Sequence, residues 1–294
     1  MAKIIDGKKI ASLVLDNVAK EIKKKRIKPS LAIVLVGEDP ASVIYIRKKE
    51  KAAREVGIKT EHYLLPKNTP EKKLLSLIRG LNANKKINGI LVQLPLPKNI
   101  SVSHVMESIS PLKDVDGFHP LNVGRLLSSS PLFVPCTPKG VIELLDRNKI
   151  SLEGKNAVIV GAGIAVGKPL IALLLSREAT VTICHIKTKN LMSHTKNADI
   201  LISAVGKPGL IRGDMVKKGA VVIDVGTSRL GGKVVGDVLF NDVKKKASWI
   251  TPVPGGVGPM TIAMLMKNTL LAYNLQRAGV AKFCSEVANV VQNR

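Results

Sequence analysis

The segment Asn156-Ala157-Val158-Ile159-Val160-Gly161-Ala162-Gly163-Ile164-Ala165-Val166-Gly167-Lys168-Pro169 decides the fold. Asn156–Val160 reads as a buried strand, and the apolar stretch that Lys168-Pro169 leads through Leu175 reads as a helix. Glycines at the turn between them let a pyrophosphate approach backbone N–H groups at the helix N-terminus, where the dipole favours anions. The same glycines also suit a crowded turn that binds nothing, so the pattern needs context. A second strand, Thr180–Cys184, supplies it in the order a βαβ unit requires. Beyond such a strand a carboxylate usually meets the adenosine ribose. Here the chain reads His185-Ile186-Lys187-Thr188-Lys189, two lysines and no acid, which favours NADP over NAD. Simple exposure is the alternative for those lysines.

The same grammar extends in both directions. Strand-like runs at Asp199–Val205 and Ala220–Val225 continue the unit downstream. Upstream, Leu31–Val36, a helix from about Ala41 to Val56, Ile58–Leu65, a helix from Pro70 and Gly89–Leu94 form another β/α alternation. The expectation is an α/β protein of two α/β domains with a cleft between them, the second Rossmann-like with a mostly parallel sheet. The Ser- and Pro-rich stretch Ser128–Pro138 marks the junction. A last helix follows Pro254–Pro259 and runs to about Gln276.

Composition narrows the class. The chain has 294 residues, 45% of them hydrophobic, enough for a full core without staples. Cys136, Cys184 and Cys284 are odd in number and widely spaced, which points away from a disulfide framework or a zinc site and towards a reducing compartment. No apolar run approaches the roughly 18 to 20 residues of a membrane span, and the start of the chain lacks an apolar signal core, so a cytoplasmic location is expected. Forty-six Lys and Arg against 22 Asp and Glu give +24, which raises nucleic acid as a partner. The basic residues are scattered and the aromatics few, so a lysine-rich solvated surface is the preferred reading, one that would also help collect a small polyanionic substrate.

In the upstream half, Tyr45 and Lys49 lie four apart on one helical face. Lys49 also sits in the run Arg47–Lys51, whose alternative reading is an ordinary charged surface. Gln93 emerges at the end of an apolar strand, where α/β proteins tend to hold ligands. Asp114-Val115-Asp116-Gly117 reads either as part of a site or as an Asp-Gly turn.

Together these segments resemble the bifunctional methylenetetrahydrofolate dehydrogenase/methenyltetrahydrofolate cyclohydrolase family over nearly the whole chain. The likeness rests on Val36–Lys49, Gly89–Pro97 (GILVQLPLP), Lys113–Gly117 (KDVDG), Pro135–Gly140 (PCTPKG), Val166–Pro169, Asp224–Gly226 and Thr251–Thr261 (TPVPGGVGPMT). It implies oxidation of 5,10-methylenetetrahydrofolate with NADP, then hydrolysis to 10-formyltetrahydrofolate, in a homodimer of one-carbon metabolism that serves purine, methionine and histidine synthesis. It implies a folate-binding domain over 1–137, joined by a C-terminal helix at about 262–294, and a dinucleotide domain over 138–261. Lys49 would be the acid/base of hydrolysis, Gln93 its partner, Tyr45 the ring on the folate and Asp116 the pterin anchor. Gly255, Gly256 and Pro259 would bring backbone to the substrate. The coenzyme would meet Gly161, Ala162, Gly163, Ile164, Val166, Gly167, His185, Ile186, Lys187, Thr188, Val225 and Gly226. No metal is implied. Gly163 and Ile186 replace family serines, which leaves open a cyclohydrolase with weak or NAD-linked dehydrogenase activity. A two-domain dehydrogenase for another substrate and a basic nucleic-acid-binding module are the remaining alternatives.

Overall fold

The computed structural model describes residues 1–278, apart from the side chains of residues 40 and 41. Cys284 and the end of the expected C-terminal segment, 279–294, lie outside the described residues. In chain order the elements are β1 Lys3–Ile4, α1 Gly7–Lys25, β2 Ser30–Val36, α2 Pro40–Val56, β3 Lys59–Leu65, α3 Glu71–Ala83, β4 Gly89–Val92, α4 Val102–Ser108, α5 Pro120–Leu127 and α6 Cys136–Arg147. They continue with β5 Asn156–Val160, α7 Gly167–Leu175, β6 Thr180–Cys184, α8 Leu191–Thr195, β7 Ile200–Ser203 and β8 Val221–Asp224. The last are β9 Ser228–Leu230, β10 Lys233–Val235, α9 Phe240–Val243, β11 Trp249–Ile250 and α10 Val257–Ala278.

The chain divides into two units. The first comprises Leu13–Cys136 and the chain from Ile262 onward; the second comprises Met1–Ser12 and Thr137–Thr261. In the first unit a parallel sheet runs β3-β2-β4. β2 (SLAIVLV) and β4 (GILV) are buried throughout, as an uninterrupted apolar run demands when helices cover both faces of a sheet. β3 (KTEHYLL) is the edge, with Lys59, His62 and Leu64 exposed and the other four residues half-buried. Leu74, Ile78 and Leu81 of α3 pack on Ala32, Val34, Ile90 and Val92. Each such large aliphatic residue contributes roughly 1.5–3 kcal/mol by leaving water.

The second unit is built on a six-stranded parallel sheet of order β1-β11-β8-β7-β5-β6, with a separate β9–β10 hairpin. β5 pairs with β6 on one side and β7 on the other, so the direction of winding reverses at β5. The carboxyl ends at such a reversal form the crevice where α/β sheets hold ligands.

One boundary departs from the sequence reading. Residues 1–12 were expected with the first domain, but β1 pairs with β11 and Ala2 joins the second unit's core. Ala2 N donates to Lys244 O at 3.1 Å and Ile5 N to Ile250 O at 2.9 Å. A two-residue strand has no period to read, so the segment gave no signal of its pairing.

Candidate functional site

Helix α2 sets the first unit's site. Asp39 caps it by accepting from Ser42 N at 2.8 Å, and Gly57 ends it in the left-handed region at φ 83°. Ser42, Ile46, Lys49, Ala53 and Val56 are its buried stripe, spaced four and three residues apart. Lys49 therefore takes a core-facing position within a charged run: it is 8% exposed, while Arg47, Lys48 and Lys51 face solvent. Tyr45 is half-buried on the flank of that stripe, with Lys48 Nζ 5.7 Å from its ring centre.

Gln93 follows β4 directly. Its backbone N–H donates to Val34 O at 2.9 Å, which fixes it against β2. Its Nε2 donates to Leu94 O at 2.6 Å, leaving Oε1 to accept from Lys49 Nζ at 2.8 Å. The amide is thereby oriented as an acceptor for one particular lysine.

Asp116 reaches the same lysine from a loop built by its neighbours. Lys113 is buried, and its Nζ donates to Leu81 O, Asn82 O and Asn84 O at 2.8–2.9 Å, satisfying carbonyls at the C-terminus of α3. Asp114 accepts from the backbone of Gly117, Phe118 and His119 and from Asn122 Nδ2. Gly117 takes φ 78°, and a side chain there would press on Pro135 N at 2.7 Å. Between these anchors Asp116 lies in the field of Lys49 and hydrogen-bonds Cys136.

Burial lowers the Lys49 ammonium below the ordinary lysine range, and the negative charge of Asp116 opposes that fall. Burial likewise raises the Asp116 carboxyl, opposed by Lys49. Lys49 is thus a buried amine able to take and return a proton, oriented by one amide and flanked by one carboxyl.

In the second unit, Gly161 follows β5 at φ 117°, where a side chain would collide with Ala204 O. A side chain on Gly167 would collide with Gly161 O. Nothing lies within 4 Å of a Cβ built on Gly163, so that position faces open space. Helix α7 begins at Gly167 without a side-chain cap from Val166; in its first turn Lys168 N donates to Gly163 O at 3.1 Å and Pro169 carries no N–H. Ala162, Ile164 and Val166 complete this loop, with Ile164 exposed.

After β6, Thr188 Oγ1 accepts from His185 N at 2.8 Å and His185 Nδ1 accepts from Lys187 N at 3.1 Å. This closes a turn that presents Ile186, 93% exposed, beside Lys187. Val225 and Gly226 follow β8; Val225 N donates to Ser203 O at 2.8 Å and Gly226 N to Asp224 Oδ1 at 3.0 Å. Gly255, Gly256 and Pro259 also belong to the second unit, where Gly255 O accepts from Lys8 N at 3.1 Å and Pro259 lies in the first turn of α10.

The family model for the catalytic domain of tetrahydrofolate dehydrogenase/cyclohydrolase matches residues 5–116, and the model for its NAD(P)-binding domain matches 135–277. The bifunctional protein FolD of Thermodesulfovibrio yellowstonii is 56% identical over 280 residues, covering 94% of this chain and 98% of that protein. The chain belongs to the tetrahydrofolate dehydrogenase/cyclohydrolase family. Among solved structures, the family enzyme from Campylobacter jejuni is 50% identical with a TM-score of 0.90, covering 93% of this chain and 99% of that one. The enzyme from Trypanosoma brucei, solved with NADP and an inhibitor, is 38% identical with a TM-score of 0.89, covering 93% and 97%.

Three residues of this family member escaped the sequence reading. Cys136, which the sequence places in the PCTPKG segment without a role, is buried and donates to Val115 O at 3.4 Å. Asn268 is fully buried and its Nδ2 donates to Val115 O at 2.8 Å and Val134 O at 3.0 Å, joining the backbone beside Asp116 to that beside Cys136. Asp237 is fully buried at the exit of β7, where it accepts from Val205 N at 2.8 Å. The sequence signal for Asn268 was a polar residue within an apolar helix; Asp237 carried none.

Proposed function

We propose that the chain oxidises 5,10-methylenetetrahydrofolate to 5,10-methenyltetrahydrofolate with NADP and hydrolyses the product to 10-formyltetrahydrofolate. The observation that carries the reading is the buried Lys49 amine held on Gln93 Oε1 in the field of Asp116. The residues at the end of β5 fit a dinucleotide: Gly161 and Gly167 leave no room for side chains, Gly163 faces open space, and the start of α7 carries no side-chain cap. Gly161–Gly167 would hold the pyrophosphate, and Lys187 and Lys189 would favour the additional phosphate of NADP. When bound, the nicotinamide supplies a two-electron acceptor for the hydride.

In hydrolysis, water adds to the methenyl carbon and gives up a proton to the Lys49 amine. The hydroxyl proton then reaches N5 as the carbon–N5 bond breaks and the formyl carbonyl forms, with one net proton released. Gln93 holds the amine in place. Asp116 accepts from pterin N–H groups, and the Tyr45 ring packs against the folate. The cationic methenyl carbon, like burial, disfavours a charged lysine beside it and so favours the amine as a proton acceptor. Cytoplasmic one-carbon metabolism and a homodimeric assembly complete the reading.

Paired initial rates with NADP and NAD test it. Reduction of NADP by 5,10-methylenetetrahydrofolate, faster than that of NAD, is expected. Reduction of neither coenzyme would contradict the dehydrogenase half.

A further inference from the structure

Two carboxylates meet at the carboxyl edge of the second unit's sheet, and no role above uses them. Asp224, the last residue of β8, is 3% exposed, and Asp237, just after the β9–β10 hairpin, is 0% exposed. Asp224 Oδ1 accepts from Gly226 N and Asp237 N, both at 3.0 Å, and Oδ2 from Val238 N at 3.0 Å. Asp237 Oδ2 accepts from Ser203 Oγ at 2.9 Å and Val205 N at 2.8 Å, and Oδ1 from Lys207 N at 2.8 Å. All four oxygens are engaged, and every one of these donors is a neutral group.

The bonds join three stretches of chain: the exit of β7, the exit of β8 and the closing end of the hairpin. Glycines make room for them. A side chain on Gly226 would run into the Asp237 carboxyl, and one on Gly236 into that of Asp224. The β7 exit in turn supports the glycine loop, because Ala204 N donates to Val160 O at 2.8 Å and Ala204 O occupies the space a side chain on Gly161 would need.

We propose that Asp224 and Asp237 are positioning residues for the dinucleotide edge, holding the backbone of 204–207 and 225–226 in register with the glycine loop at 161–167. This rests on reading that loop as the coenzyme site. A carboxylate suits the task because both oxygens accept. An asparagine of the same shape must turn its NH2 group toward one of the backbone or hydroxyl donors, losing a bond and adding a donor–donor contact. The loops would then shift while the first unit, with Lys49, keeps its structure.

The test titrates NADP directly onto Asp224→Asn, Asp237→Asn and Ser203→Ala by calorimetry and measures methenyltetrahydrofolate hydrolysis without coenzyme on the same preparations. The carboxyl variants are expected to raise the Kd for NADP about tenfold or more, and Ser203→Ala about threefold, with hydrolytic kcat and KM within about twofold of wild type. Folded carboxyl variants with the wild-type Kd would overturn the inference, as would hydrolysis falling in parallel with affinity. If the carboxyl variants fail to fold, Ser203→Ala decides: a raised Kd with intact hydrolysis supports the inference and an unchanged Kd overturns it. Wild-type chain binding neither NADP nor NAD would instead overturn the coenzyme reading beneath it.

Discussion

The two units meet their proposed ligands with opposite materials. The first places an amine and a carboxyl, Lys49 and Asp116, where burial moves both toward their neutral forms. The second has close-packed glycine backbone and a helix start without a side-chain cap, with its own carboxylates turned inward onto backbone N–H groups. Proton chemistry needs groups whose charge can change at neutral pH, whereas holding an anion needs N–H groups whose partial charge does not. Substitutions should therefore separate the two activities by unit.

The largest separation is expected from Gly167→Ala, because a methyl group there meets Gly161 O. It should destabilise the chain by about 1–3 kcal/mol, as overpacking does, and weaken NADP binding about a hundredfold. Calorimetry and thermal unfolding check both. Unimpaired NADP binding would show that the close approach of these two glycines is not part of the coenzyme site.

Asp116→Asn acts on the other unit. It should raise the KM for the folate by about tenfold and leave the Kd for NADP nearly unchanged. The charge of Asp116 holds the Lys49 pKa up against burial, so its removal lets that pKa fall further. The rising limb of the hydrolytic pH profile should then move to lower pH. A shift to higher pH would contradict the assigned pairing.

Asp224 gives a smaller effect on stability. Burial, aided by Asp237, raises its carboxyl from 3.8 to about 6. Between those values the folded chain holds a proton that the unfolded chain releases, so this group's contribution falls as pH rises through that window and levels off above about 6. From pH 4 to pH 7 the melting temperature of wild type should fall relative to that of Asp224→Asn; a constant difference would contradict it.

Gly163→Ser is the mildest change. With no atom within 4 Å of the new Cβ, stability should stay within about 0.5 kcal/mol. The added hydroxyl should alter the ratio of rates with NADP and NAD, and an unchanged ratio would remove this position from coenzyme selection.

How much of this was legible in the sequence follows from the physics of each signal. β5 and β6 were read at their observed limits, because an apolar run between a polar start and a glycine or histidine carries its own boundaries. Lys49 was ambiguous within Arg47–Lys51 by charge alone; the spacing of Ser42, Ile46, Ala53 and Val56 resolves it, since only Lys49 in that run falls on the buried stripe. The glycine pattern pointed to the loop but gave Gly163 the same weight as Gly161 and Gly167, although only the latter two are constrained by neighbouring backbone. The pairings of β1, Asn268 and Asp237 carry no local signal because their partners lie far along the chain: Lys3 pairs with Trp249, Asn268 reaches Val115, and Asp237 binds Ser203. The lysine-rich composition described the surface and said little about the site.

The division of labour is tested most directly by supplying 5,10-methylenetetrahydrofolate and NADP to wild type and Lys49→Ala and following NADPH, 5,10-methenyltetrahydrofolate and 10-formyltetrahydrofolate together. Wild type is expected to form NADPH and 10-formyltetrahydrofolate, while the variant forms NADPH and accumulates the methenyl compound, its enzymic hydrolysis reduced by about a hundredfold or more. Formation of 10-formyltetrahydrofolate by Lys49→Ala at the wild-type rate would contradict the account.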